Sequence, residues 1–165
     1  MSQPSRKIEI IESPFAPIAL HYDLDYLLQI EIDPLAVRQT TASSYKAFGP
    51  PPAWLVKFKT DIEHYFQKGK KIEIFPPLRQ HWTPEQRFVY EKLINSQIGQ
   101  RLCYSDLHRS ARFAGTCMKK NLFPILLPCH RVIKKNGELG EFNARGGTKM
   151  KEKILHWEDS FILKN

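Results

Sequence analysis

At 165 residues, 42% of them hydrophobic, the chain is long enough for one ordinary domain or two small ones. Lysine and arginine number 25 against 17 acidic residues, a formal charge of +8, which favours an acidic or polyanionic partner. Three cysteines, Cys103, Cys117 and Cys129, none of them in a C-x-x-C pair, argue against a disulfide framework or a zinc finger.

Residues 8–11 form an opening apolar run that is too short and too charged for a signal peptide. No later run approaches the ~20 residues of a membrane helix. These features fit a reducing cytoplasm, where a free thiol survives, and predict no membrane partner.

Residues 6–12 alternate as a strand does, and residues 15–20 and 26–32 are further β-rich runs, so an antiparallel sheet is expected. After Gly49-Pro50-Pro51-Pro52, the apolar residues Leu55, Phe58, Ile62, Tyr65 and Phe66 recur at helical spacing until Gly69. Residues 71–75 read as a short strand ended by Pro76-Pro77. Thr83-Pro84-Glu85-Gln86 has the residues of a capping box and starts a helix to about Ser96, with Phe88, Val89, Leu93 and Ile94 as its predicted buried stripe. The boundary between lobes is placed in this stretch, giving an N-terminal α/β lobe over 1–79 and a C-terminal domain over 80–165.

Beyond Gly99 two short helices are expected, over 104–109 and 111–119, then the segment 121–128 and a hairpin turning at Asn136-Gly137. Thr148 is the expected cap of a last helix that buries Met150, Ile154, Leu155 and Trp157. Two short helices followed by a hairpin predict a winged helix-turn-helix, a module that lays a helix on DNA. The expected class is α+β.

The strongest chemical signal is Leu127-Pro128-Cys129-His130-Arg131-Val132. A thiolate attacks carbon centres when a base stands nearby and the geometry is fixed. Neighbouring side chains on an extended segment point apart, so a proton relay from Cys129 to His130 is expected to run through water. Asn121 can donate and accept, and so can tie together both sides of the Pro-rich loop before Cys129.

With Asn121 and Pro124 upstream and Asn136-Gly137 downstream, this stretch resembles the active-site signature of the O6-alkylguanine-DNA alkyltransferases, or methylated-DNA–protein-cysteine methyltransferases. The resemblance covers roughly residues 83–158, and its fold is an RNase H-like N-terminal lobe with a helical DNA-binding lobe. It implies that Cys129 takes an alkyl group from guanine O6, and from thymine O4 as a second substrate, irreversibly and once per molecule. It also implies that His130 draws the thiol proton through water, that Glu158 holds His130, and that Asn121 sets the turn.

On the DNA side, the resemblance makes Arg112 the side chain that fills the gap left by a flipped nucleotide, in the minor groove. Tyr104 lies near that nucleotide, Ser105 meets the backbone, and Lys134 and Lys135 add charge for phosphates. The expected partner is double-stranded DNA carrying O6-alkylguanine, bound by a monomer with no cofactor. Every cysteine lies beyond residue 100, and His21, His64 and His81 make a poor zinc set, so no metal is expected. Two departures stand out: the spacing from Tyr104 to Arg112 is short, and Asn143-Ala144-Arg145 lengthens the loop before Gly146-Gly147, which in the family lines the alkyl pocket. Two other readings remain, a protein that flags alkylated DNA without repairing it and a cysteine hydrolase.

Overall fold

The structure, a computed structural model, describes residues 6–35 and 49–164. The chain divides into two compact units, Met1–Gln80 and His81–Asn165.

In the first unit β1 (Lys7–Ile11), β2 (Ile18–Tyr22) and β3 (Leu27–Ile32) form an antiparallel sheet in the order β1-β2-β3. The second strand begins at Ile18 rather than Phe15. Before it, the Ser13 hydroxyl accepts from the Phe15 and Ala16 amides and curls the chain into a turn. All five residues of β2 are buried, so this strand forms the centre of the lobe. Helix α1 (Ala53–Lys68) buries the five predicted residues and ends at Gly69, whose φ of 61° suits the left-handed cap. It packs Phe66 on Phe15 of the turn before β2, with ring centroids 5.6 Å apart, and Trp54 on Tyr22 of β2, 6.3 Å apart.

The strand expected over 71–75 is absent. The Asp61 carboxylate accepts from the Glu73 and Ile74 amides, each at 2.7 Å. These groups are thereby withdrawn from any ladder, and Pro76 and Pro77 have no N–H to offer one. Among the described residues, this segment joins the sheet through the isolated bridge between Leu27 and Leu78.

The second unit opens with α2 (Pro84–Asn95) and the full capping box: the Gln86 amide donates to Thr83 Oγ1 at 3.2 Å, and the Thr83 amide to Gln86 Oε1 at 3.0 Å. Its buried residues are Val89, Tyr90 and Leu93. Phe88, expected inside, is exposed, and its ring lies 4.6 Å from the Lys92 ammonium. Tyr90 takes the inward place because its hydroxyl finds a buried acceptor, the Cys117 carbonyl, at 2.9 Å. Ile94 is half-buried.

A two-residue strand, β4 (Leu102–Cys103), leads into the single turn α3 (Tyr104–Leu107) and then α4 (Ala111–Lys119), which Ser110 caps through the Phe113 amide at 3.2 Å. β5 (Val132–Ile133) pairs in parallel with β4 rather than with a returning hairpin strand. The turn itself is present, with the Lys134 amide donating to Glu138 O at 2.8 Å. Helix α5 (Gly147–Ile162) starts one residue ahead of Thr148 and is capped by Gly146 rather than by a side chain. It buries Met150, Ile154 and Leu155 as predicted, but adds two charged residues, Lys151 and Glu158, and leaves Trp157 half-buried. The α+β architecture, with paired short helices ahead of a wing-like turn, is the expected one.

Candidate active site

Residues 123–132 are buried without a break, so the loop preceding Cys129 needs internal partners for its polar groups. Asn121 supplies two of them. Its Nδ2 donates to Leu127 O at 2.9 Å, and its Oδ1 accepts from the Phe123 amide at 2.9 Å. Inside the turn so closed, Ile125 has a φ of 75°, a costly value for a β-branched residue that the surrounding contacts must enforce.

Cys129–Arg131 is a 3₁₀ turn, not the extended segment expected. Cys129 lines an open cavity of about 1060 Å³, whose walls include Tyr104, Ala111, Gly115, Gly140, Phe142 and Asn143. Burial pushes the thiol above its ordinary value, and a hydrogen bond from Asn121 and the charge of Lys151 offset this only in part. The sulfur is therefore a neutral thiol at pH 7 and needs a base.

The base candidate is wholly buried beside it in sequence. His130 Nε2 lies 2.9 Å from Glu158 Oε1. Desolvation lowers His130 below its ordinary value despite the neighbouring carboxylate, so the ring is neutral at pH 7. An ionised carboxylate only accepts, which assigns the ring proton to Nε2 and leaves a lone pair on Nδ1. That nitrogen has no hydrogen-bonding partner among the described residues.

Glu158 is the hub of the cluster. Arg131 Nη2 donates to its Oε1 at 2.7 Å, and Arg131 Nε reaches both oxygens at 3.1 Å. The Gly99 amide donates to Oε2 at 2.9 Å. Burial alone would raise the Glu158 carboxyl, but His130 and Arg131 together hold it well below the usual carboxylate range. With the imidazole neutral, Arg131 carries the compensating charge and makes the buried pair electrically balanced. Arg131 Nη1 is fixed in turn by Ser96 O and Ser96 Oγ, both at 2.9 Å. Gly99 is required as glycine by its φ of +77°, a conformation that L side chains rarely adopt; the nearest obstacle to a Cβ there, Ile162 Cδ1 at 1.7 Å, is the end of an exposed side chain that can turn aside.

Lys151 is the buried cation that motif reading missed. Its Nζ donates to Val132 O and Leu139 O, each at 2.5 Å, tying the strand after the nucleophile to the cavity wall. Desolvation, opposed in part by Cys129, pushes it down to about 8. A signal was present, since Lys151 and Glu158 fall in phase with Met150, Ile154 and Leu155 on one helical stripe.

The expected DNA-contacting residues do not all lie together. Tyr104 lines the cavity with Cys129, and burial raises its hydroxyl above the ordinary value, so it stays a donor. Arg112 is exposed on α4, between the cavity-lining residues Ala111 and Gly115. Ser105 belongs to a different depression, shared with Phe88, Lys92, His108 and Arg109. Lys135 is exposed on the turn, and only its neighbour Lys134 reaches the cavity wall. The lengthened loop is anchored by Asn143 Nδ2, which donates to Lys119 O at the end of α4 at 2.9 Å.

Residues 84–160 match the family model described as 6-O-methylguanine DNA methyltransferase, DNA binding domain. The methylated-DNA–protein-cysteine methyltransferase of Cricetulus griseus is 32% identical over 135 residues, which span 73% of this chain and 64% of that protein. Its namesake in Metallosphaera sedula is 28% identical over 155 residues, 91% of each chain. Among solved structures, the O6-methylguanine methyltransferase of Mycobacterium tuberculosis superposes with a TM-score of 0.70 at 25% identity, covering 94% of both chains. The same bacterium's protein in complex with DNA gives a TM-score of 0.67.

Proposed function

Because this chain belongs to the methylated-DNA–protein-cysteine methyltransferase family, we propose that it repairs DNA by moving the alkyl group of O6-alkylguanine onto its own Cys129. The observation that carries this reading is the position of that sulfur. It opens onto a cavity large enough for a nucleobase, at the head of a buried histidine, glutamate and arginine cluster.

The Cys129 proton passes through a water to His130 Nδ1, and Glu158 stabilises the imidazolium that forms. The thiolate attacks the alkyl carbon, so that an S–C bond forms as the C–O6 bond breaks. The electron pair stays on the purine, which takes up through water the proton that His130 received from Cys129, so that the base is left as guanine and the imidazole as neutral. A thioether is a poor leaving group, so each molecule reacts once, and the residues of the chain complete the step without a cofactor.

A thiol in this cavity cannot reach a base stacked in duplex, so the nucleotide must rotate out. Arg112 fills the space it leaves, Tyr104 meets the extruded nucleotide, and Ser105 and Lys135 hold the phosphates. The substrate is double-stranded DNA carrying O6-alkylguanine, and the protein acts as a monomer. Labelled O6-benzylguanine followed on a denaturing gel tests the reading: wild type retains the label and Cys129→Ala does not. Failure of the wild type to take label from either this base or a lesion duplex would refute it.

A further inference from the structure

The two lysines that follow the nucleophile look alike in sequence, and both read as phosphate contacts. In the folded chain they part. Lys134 lines the cavity that holds Cys129, whereas Lys135 does not. Opposite Lys134 stands Gly140, with φ +73°. The point that a Cβ on Gly140 would occupy is 3.4 Å from the Tyr104 hydroxyl, 3.7 Å from Lys134 Cγ and 3.9 Å from Lys134 Cε. The missing side chain therefore leaves a gap flanked by a hydroxyl and by an ammonium-bearing arm, both donors, in the wall of the nucleophile's own cavity.

We propose that Lys134 contacts the extruded base, its ammonium donating with the Tyr104 hydroxyl to the acceptor edge of the purine and taking up the negative charge that the ring gains as the C–O6 bond breaks. This deepens the alkyl-transfer reading and rests on it. A purine edge offers ring nitrogens and an oxygen as acceptors, and donors aimed at such an edge bind more strongly as the leaving group becomes anionic.

Glu138 holds the arm in place. Its Oε2 lies 2.7 Å from Lys134 Nζ, and the two groups keep each other charged. A solvent-exposed ion pair is a weak tie, so an arriving base displaces it readily. The other pocket-facing charges, Lys119 and Glu141, face one another at 3.7 Å.

The test uses the free base, which has no phosphate. Lys134→Met should slow the single-turnover reaction with O6-benzylguanine by about tenfold, the scale of one charge-assisted hydrogen bond gained in the transition state. With O6-benzyl-8-azaguanine, whose purine leaves more easily, the deficit should shrink, a dependence that a merely structural role would not produce. A wild-type rate with O6-benzylguanine, or the same deficit with both bases, would overturn the proposal. Should wild type itself react with neither base nor lesion duplex, the alkyl-transfer reading fails and takes this inference with it.

Discussion

His130 Nε2 meets Glu158 Oε1 at 2.9 Å with both side chains fully buried, and this contact joins the turn carrying the nucleophile to the last helix. It does two things at once. It fixes which ring nitrogen is free to accept a proton, and it closes the charge balance with Arg131.

Glu158→Gln separates these roles. An amide can still accept from His130, but it leaves the Arg131 guanidinium buried without a counter-charge. A loss of about 3 kcal/mol is expected, read by urea denaturation, together with slower alkylation at full occupancy. An unchanged midpoint and rate would show that the carboxylate is dispensable.

The pH dependence follows from the directions of the shifts. His130 lies below its ordinary 6.5, so its base form persists in mild acid, and the rate with free O6-benzylguanine should hold from pH 7.5 to 6.5 and fall only below. For stability, Glu158 lies below its ordinary 4.5. Its contribution is therefore complete above that value and is lost as pH falls through the lower folded value. In His130→Ala only pre-formed thiolate reacts, and because burial holds Cys129 above its ordinary 9.0, the residual rate should climb throughout the alkaline range. A wild-type rate that instead halves near pH 7 would assign the base to another group.

Asn121→Ala strips two buried partners from the loop, Leu127 O and the Phe123 amide. The expected cost is about 2 kcal/mol. The rate should fall on the order of tenfold, because the sulfur is no longer held in register with the cavity. Equal stability and rate in the variant would make the asparagine a bystander.

Arg112 is exposed on α4, so Arg112→Ala should change stability by less than about 0.5 kcal/mol. Repair of a lesion in duplex should nevertheless drop by about tenfold or more, since unstacking a base costs a few kcal/mol, while reaction with the free base proceeds as before. Equal losses on both substrates would remove its role in extrusion.

The legibility of this chain follows the range of the interactions. The Thr83 to Gln86 box could be read because all its partners lie within one turn, and the nucleophile because the run from Leu127 to Val132 carries a distinctive local signature. Residues 71–75 misled because their alternation is a strand's, whereas Asp61, a residue of α1, takes their amides. Phe88 and Tyr90 misled because the choice between them depends on the Cys117 carbonyl, 27 residues from Tyr90. Arg131 reaches Ser96 across 35 positions and Lys151 reaches Val132 across 19, and no local pattern encodes such pairings. The glutamate hub was found by resemblance; its burial and its Gly99 contact emerge only from the packing of α5.

The central claim is a covalent one, and peptide mass analysis reads it directly. After incubation with duplex carrying a single O6-methylguanine, the peptide containing Cys129 should gain the mass of one methyl group in step with loss of the lesion, while peptides containing Cys103 and Cys117 stay unmodified. A Cys129 peptide of unchanged mass, with the lesion intact in the DNA, would contradict the account.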